Sequence, residues 1–90
     1  MLHLVTHRRA LADALAAATA GDDLVLMHAA VLGATRSGAI PPGVRVHAMG
    51  VDLVARGLDD ASRFAPGIAV LDDAGLVALA LRHPQSLTWS

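Results

Sequence analysis

Short apolar runs alternate along this chain with helix-forming segments, and this alternation is the strongest constraint on its fold. The runs read mostly as continuous apolar stretches, which is typical of strands buried on both faces of a parallel sheet. We predict strands at residues 2–5, 24–27, 44–48, 68–71 and 86–89. The sequence therefore favours an α/β fold in three α/β/α layers, with a small, mostly parallel sheet of about five strands, Rossmann-like or flavodoxin-like.

Helices are predicted in the segments between these strands. Residues 10–20 are rich in alanine, the strongest helix former, and Gly21 follows as a candidate C-cap. Further helices are expected over residues 29–34, over residues 52–56, and after the capping pair Asp72-Asp73. In the last helix we expect an apolar face made of Leu76, Val77, Leu79 and Ala80. No internal repeat or linker divides the chain, so we predict one domain over residues 1–90.

The composition predicts that apolar surface stays exposed after folding. The chain has 90 residues, a mass of 9.2 kDa and 54% hydrophobic residues. For that mass, area scaling gives a folded surface of roughly 4,900 Å², so only about 63% of the unfolded surface is buried. Exposed apolar patches usually mark interfaces, so we expect an oligomer rather than a stable monomer. No apolar run is long enough to span a bilayer.

Charge and cysteine content exclude several classes of function. All seven basic residues are arginine and all eight acidic residues are aspartate, for a net charge of −1. This balance argues against a nucleic-acid-binding surface, which normally appears as a basic patch. The chain has no cysteine, so it can form no disulfide, which fits a cytoplasmic protein.

No catalytic, cofactor-binding or metal-binding residue is predicted. The turn after the first strand, Thr6-His7-Arg8-Arg9, lacks the glycines of a dinucleotide site, and a P-loop is excluded because there is no lysine. The pairs Asp22-Asp23, Asp59-Asp60 and Asp72-Asp73 are expected to have capping and turn roles. The histidines are dispersed and show no zinc-site spacing: His3, His7, His28, His47 and His83.

His28 is the most interesting histidine, because it follows the second strand at the edge where open α/β sheets bind ligands. A small-residue apolar stretch comes directly after it. We expect a subunit contact in this region, lined by His28, Ala29, Ala30, Val31, Leu32 and Ala34. Trp89, the sole tryptophan, either packs back on the sheet or inserts into a partner, and we favour packing.

Three stretches carry a resemblance to a known family: LVLMHAAVLGA at residues 24–34, VHAMGVDLVARGL at residues 46–58, and HPQSLTW at residues 83–89. Their order and spacing resemble the TusB/DsrH family of sulfur-relay subunits, which belong with DsrE-like proteins. Two departures stand out. Ala14 lies where some members have a cysteine, and His28-Ala29-Ala30 lies where the family tends to carry Gln or Glu followed by Asp-Gly.

The resemblance implies a cytoplasmic subunit of a heterohexamer, in which two paralogous DsrE/DsrF-like (TusD/TusC-like) subunits accompany it. Such a complex takes persulfide sulfur from a carrier protein and passes it to an acceptor, for 2-thiolation of tRNA wobble uridine or for sulfur oxidation. Because persulfide transfer needs a thiolate, a chain without cysteine is expected to be a structural subunit. The alternatives are a homo-oligomeric α/β module that binds a small ligand or metal and, with least support, an independent enzyme.

Overall fold

The computed structural model describes residues 1–35, 40–58, 60, 64 and 67–90. Its five strands form one all-parallel sheet in the order β4-β3-β2-β1-β5. They are β1 (Leu2–Val5), β2 (Asp23–Leu26), β3 (Arg45–Met49), β4 (Ile68–Leu71) and β5 (Ser86–Trp89). The α/β fold class and the parallel five-stranded sheet predicted from the sequence are confirmed.

The connections explain why both faces of the sheet are covered. A 3₁₀ turn and α1 (Leu11–Ala17) join β1 to β2, and a 3₁₀ segment (His28–Thr35) leads from β2 towards β3. α2 (Gly50–Ala55) follows β3, and α3 (Asp73–Arg82) connects β4 to β5. The first three connections step across the sheet in one direction, whereas α3 returns past them to the opposite edge. With right-handed crossovers, α3 must therefore cover the other face.

The two faces carry separate hydrophobic clusters. On the first face, Val5, Leu24 and Leu26 belong to the cluster that includes Leu11 and Leu15 of α1. Side chains from the 3₁₀ segment and α2 complete this larger cluster. On the second face, Leu2, Val25 and Met49 pack with Leu79 of α3. The arrangement is α/β/α, with three connections on one face and one helix on the other.

Burial is complete at the centre of the sheet and incomplete at its edges. All four residues of β2 are buried: Leu24, Val25 and Leu26, as their apolar run predicts, and also the charged Asp23. In β4, however, Ala69 and Val70 are exposed, and Val70 retains 56% of its accessible surface. The expectation that β4 is buried on both faces is therefore wrong, because it is an edge strand with a neighbour on one side only.

The first helix is shorter than predicted, ending at Ala17 instead of residue 20. Ala18 is already extended, and the backbone N–H of Asp22 donates to the Thr19 carbonyl at 3.0 Å. The Asp22 carboxylate accepts the N–H of Thr19 in return, also at 3.0 Å. This reciprocal turn overrides the helix propensity of the alanines. Gly21 lies inside the turn with φ +93° and is not a helix cap.

The 3₁₀ segment replaces the α-helix predicted over residues 29–34. It packs so closely that a Cβ on Gly33 would lie 2.6 Å from Cδ2 of Leu11. Ala30, Val31 and Ala34 are fully buried in the chain's own core. These three side chains of the expected subunit contact are covered by their own chain. Only the side chains of His28, Ala29 and Leu32 are exposed or half-buried and open to a partner, and their contact with one stays a prediction.

α3 begins as predicted, since the Asp72 carboxylate accepts the N–H of Gly75 at 2.7 Å. Its predicted apolar face is only partly correct. Leu79 is buried and Leu76 half-buried, whereas Val77 and Ala80 are exposed. Only a narrow stripe of the helix surface, around Leu76 and Leu79, packs on the sheet. Leu81, on the outward side, is 84% exposed.

The surface agrees with the area scaling, at 4972 Å². Large apolar side chains are exposed, as the composition predicts: Met1, Leu32, Val51, Val54, Val70, Val77, Leu81 and Leu87. Within the described residues, no helix is long and apolar enough to cross a membrane.

We predict that Ala30→Arg destabilises the fold by several kcal/mol, on the order of 3 or more, because it places an unpaired charge in the core. Urea denaturation followed by circular dichroism measures this change. The matched control is Leu32→Arg, which adds the same charge at a side chain that is 40% exposed and should stay close to the wild type. Equal stabilities of the two variants would contradict the burial of Ala30.

Candidate functional site

The site residue singled out from the sequence, His28, lies at the carboxyl edge of the sheet, two residues after β2. Its backbone has φ +51°, the left-handed region that non-glycine residues rarely adopt. The Asp52 carboxylate stabilises this conformation, because its Oδ2 accepts the N–H of His28 at 2.9 Å. The ring is mostly exposed, with Nδ1 at 4.0 Å from Oδ1 of Asp52. A strained backbone therefore presents an imidazole outward at the edge where such folds bind ligands.

Arg56 completes the surroundings of Asp52. Its Nη1 lies 3.8 Å from Oδ1 of Asp52, one helical turn earlier in sequence. The carboxylate thus lies between a guanidinium and the imidazole of His28, and its own side chain is mostly buried. This arrangement holds the backbone of His28 in place and leaves its imidazole exposed to solvent.

A second polar region, which was not predicted from the sequence, lies where the strands begin, at the amino edge of the sheet. Two adjacent carboxylates, Asp22 and Asp23, mark the start of β2. Strands β1, β2 and β3 start in register, with Leu2 beside Asp23 and Asp23 beside Arg45. Polar residues near the starts of these strands therefore meet at one edge. Asp22 points to His3, whereas Asp23 points to His47 and His83.

The Asp22 cluster joins the first strand to the last. Oδ2 of Asp22 lies 2.9 Å from Nε2 of His3, and Oδ1 accepts from the Met1 amino group at 2.8 Å. The other ring nitrogen of His3, Nδ1, accepts the indole N–H of Trp89 at 3.1 Å. Since an indole nitrogen can only donate, the proton of neutral His3 must lie on Nε2 and be donated to Asp22. Trp89 packs back against the core, as favoured from the sequence.

The Asp23 cluster fastens the end of α3 to the sheet. The carboxylate is fully buried and accepts from Nε2 of His47 at 2.9 Å and from Nε2 of His83 at 2.8 Å. Arg45 approaches it side-on, with Nε at 3.2 Å from Oδ1 and Nη2 at 3.4 Å from Oδ2. Arg82 adds a longer ion pair at 3.8 Å. Such bidentate, charge-assisted contacts are the strong ones in proteins.

Both carboxylates are held in the ionised form. Hydrogen bonds from the Met1 amino group, from the Thr19 backbone and from His3 hold the pKa of Asp22 well below its usual range. Burial alone would raise the pKa of Asp23. The hydrogen bonds from His47 and His83, together with the charge of Arg45, outweigh burial and lower its pKa.

These clusters stabilise the fold and do not form a metal site. Within the part of the chain that the structure describes, no three His, Asp or other ligating side chains are arranged to hold a metal ion. In the same residues, no buried side-chain nitrogen or oxygen lacks a hydrogen bond. A carboxylate that already accepts several donors has little capacity left for a ligand. The sequence feature that could have predicted these clusters is the presence of polar residues at the starts of neighbouring parallel strands.

The remaining predicted positions divide as follows. Asp22 and Asp72 have the turn and capping roles expected of them, and Asp59 lies outside the described residues. The same expectation is wrong for Asp23, whose carboxylate is buried in ion pairs with β3 and the end of α3. Nδ1 of His7 accepts the N–H of Arg9 at 3.3 Å, and Arg8 and Arg9 are exposed. The five histidines fall into four groups: His3 with Asp22, His47 and His83 with Asp23, His28 with Asp52, and His7 in its own turn. The two exposed ones, His7 and His28, each lie two residues after the end of a strand, at the carboxyl edge.

We predict that Asp23→Asn costs about 3 kcal/mol or more at neutral pH, as removal of one member of a buried ion pair does. It should also flatten the loss of stability in acid. A carboxyl with a lowered folded pKa stabilises the fold above its ordinary value of 3.8, and this contribution is lost as the pH falls below that value. Urea denaturation between about pH 5 and pH 2 measures the slope.

Asp22 acts in the same pH window, so the slope of the Asp23 variant should be reduced and not abolished. The control is Asp73→Asn, at an exposed carboxylate in the first turn of α3. An Asp23→Asn variant with wild-type stability and slope would show that the buried ion pairs contribute nothing to folding.

No curated protein sequence matches the chain. A family model described as DsrH like protein matches residues 5–86, from the end of β1 to the start of β5. The match includes β2, the 3₁₀ segment, β3 and α3. It therefore covers residues of both the amino edge and the carboxyl edge of the sheet. On this evidence the chain belongs to the family of DsrH-like proteins.

Proposed function

We propose that this chain is a structural subunit of a cytoplasmic persulfide sulfur-relay complex. The observation that supports the proposal most strongly is the family membership combined with the absence of cysteine. The DsrH-like match makes the chain a sulfur-relay related subunit at the level of the family. The lack of any cysteine then limits what such a subunit can do in the relay.

Persulfide transfer requires a thiolate that attacks the outer sulfur of a donor persulfide and then holds it as a new persulfide. No other side chain replaces a thiolate in this step. Methionine sulfur is already doubly substituted, and the imidazoles and carboxylates of this chain form no stable bond to sulfur. The cysteines that carry sulfur must therefore come from other chains, and this subunit supports or positions them.

The partners proposed are two paralogous DsrE/DsrF-like subunits, joined with this chain in a heterohexamer with two copies of each. The complex would take sulfur from a carrier protein and pass it to an acceptor, in 2-thiolation of tRNA wobble uridine or in sulfur oxidation. The exposed apolar side chains support an obligate partner. No direct contact with nucleic acid is proposed, because the net charge is −1.

The carboxyl edge is the proposed contact. His28, Ala29 and Leu32 lie together there, on the exposed part of the 3₁₀ segment. His28 is presented outward and oriented by Asp52, and Leu32 is 40% exposed beside a rigid core. An apolar anchor next to an oriented polar group is typical of the centre of a protein–protein contact.

We predict that the isolated chain gains no sulfur when incubated with a persulfide donor. Intact-protein mass spectrometry without reductant measures this, with a cysteine-bearing paralogue as the positive control. A second sample, Ala14→Cys, tests whether a thiol can be introduced at the position where some family members have one. Ala14 is fully buried, so this thiol should react slowly or not at all. A stable gain of one sulfur atom by the wild-type chain would overturn the structural role.

We predict that co-expression with the two paralogous subunits yields a stable complex, and that Leu32→Arg weakens it at least about tenfold by burying an unpaired charge in the contact. Size exclusion with light scattering measures the assembly. Ala12→Arg, at an exposed position of α1, is the matched control. If the chain does not bind the paralogues and forms only homo-oligomers, this result would favour the alternative, an α/β module that binds a small ligand. Undiminished assembly of Leu32→Arg would place the contact elsewhere.

A further inference from the structure

The hydrogen bonds around His3 fix the position of its proton. The ring is 2% exposed and has one partner on each nitrogen. Trp89 donates its indole N–H to Nδ1 at 3.1 Å, so Nδ1 must be the unprotonated nitrogen. Nε2 carries the proton and donates it to Asp22 at 2.9 Å. The three side chains form a chain of donors and acceptors that is satisfied only while His3 is neutral.

A second proton on His3 would have to go to Nδ1, because Nε2 already carries one. The Nδ1–H would then face the indole N–H of Trp89, two donors separated by about the length of the present hydrogen bond. Neither can accept, so the bond between Trp89 and His3 must break. The bond to Asp22 would instead become stronger, as a hydrogen bond between two charged groups. The ring therefore stays with the carboxylate, and the indole is the group that gives way.

Among the described residues, the charged groups bonded to or next to His3 lie on its Nε2 side. Asp22 faces Nε2, and the Met1 amino group binds the other oxygen of that carboxylate. The neighbours of His3 in the sheet, Leu24 of β2 and Leu87 of β5, are apolar. The buried residues of α1, on the same face, are also apolar: Leu11, Ala14 and Leu15. Asp13, the charged residue of α1, is exposed to solvent.

The backbone of Trp89 is held independently of its indole. Its carbonyl accepts the N–H of Thr6 at 2.9 Å and the Thr6 hydroxyl at 3.2 Å. Neither contact involves His3. β5 is an edge strand whose other side chains are exposed, so the indole has room to leave its site without displacing a neighbouring strand. The side chain can be released while the strand stays paired with β1.

We propose that His3 and Trp89 form a pH-sensitive latch: protonation of His3 releases the indole from the core and exposes it at the β5 edge while the sheet stays intact. The device needs no ligand and does not depend on the sulfur-relay role. It changes the apolar surface beside Leu87, which is 45% exposed already. The strand edge at the end of the chain thus presents a different surface in acid than at neutral pH.

The test follows two signals of the wild-type chain by NMR during an acid titration. One is the ring resonance of His3, identified by its loss in His3→Asn, and the other is solvent exchange of the indole N–H of Trp89, the sole indole in the chain. We expect both to change with one midpoint. Below it, indole exchange corrected for intrinsic pH dependence should rise about 3- to 10-fold, the effect of losing one net hydrogen bond. The amide of Thr6 should stay protected.

Two variants sharpen the result. His3→Asn cannot be protonated and offers an oxygen near the Nδ1 position, so its indole should show no transition. His7→Asn removes an exposed histidine whose Nδ1 accepts the N–H of Arg9, a capping role that asparagine also fills, and should leave the transition unchanged. If His3→Asn does not fold, the His3 resonance is assigned by its nuclear Overhauser contact with the Trp89 indole, whose ring centroid lies 6.1 Å away, and the two wild-type signals still decide the matter.

Three outcomes would overturn the latch. The indole could stay protected after His3 has become protonated. His3 could stay neutral until circular dichroism shows that the fold is lost. The amide of Thr6 could lose protection together with the indole, which would mean that the whole of β5 detaches.

Discussion

The buried carboxylate of Asp23 is the interaction on which much of this structure depends. An ionised group without solvent costs several kcal/mol unless donors surround it. Here the donors come from β3, through His47 and Arg45, and from the end of α3, through His83. A slip of β3 by one residue would remove both of its donors and turn its apolar side chains to the wrong face. The charge therefore selects one register of the sheet and one position for the end of α3.

This requirement explains how a chain with little core can hold α3 in place. α3 has one buried side chain, Leu79, and its outward side is largely apolar and exposed. The apolar contact alone would allow the helix to shift along the sheet, because hydrophobic contacts are not directional. His83, at the C-cap of α3, makes a directional bond to Asp23 and removes that freedom. Polar specificity at the end of the helix complements apolar contact along it.

Reasoning from the sequence reached the fold more readily than the polar clusters. The strands could be predicted because apolar runs such as β2 report burial directly, residue by residue. The end of α1 could not be predicted, because the turn at Thr19 depends on a hydrogen bond to the Asp22 side chain. Helix propensity does not include such a contact. The His–Asp clusters were missed for a related reason. His3 and Asp22 are 19 residues apart, and only the register of parallel strands brings them together. Once a parallel sheet is predicted, polar residues at the starts of its strands can be expected to pair.

The two edges of the sheet have different chemical character, and this bears on what a subunit without cysteine contributes. At the amino edge, every buried polar side-chain atom of the clusters is hydrogen-bonded, so the side chains there stabilise the fold. At the carboxyl edge, His28 has a strained backbone and an exposed ring, supported by Asp52. A fold keeps a strained, solvent-facing residue only if the surroundings hold it there, and Asp52 does so at some cost in desolvation. The exposed imidazole is therefore accessible to a group from another molecule, as the proposed contact requires. The contact that we propose thus lies at the carboxyl edge, while the hydrogen-bonded clusters that stabilise the fold lie at the amino edge.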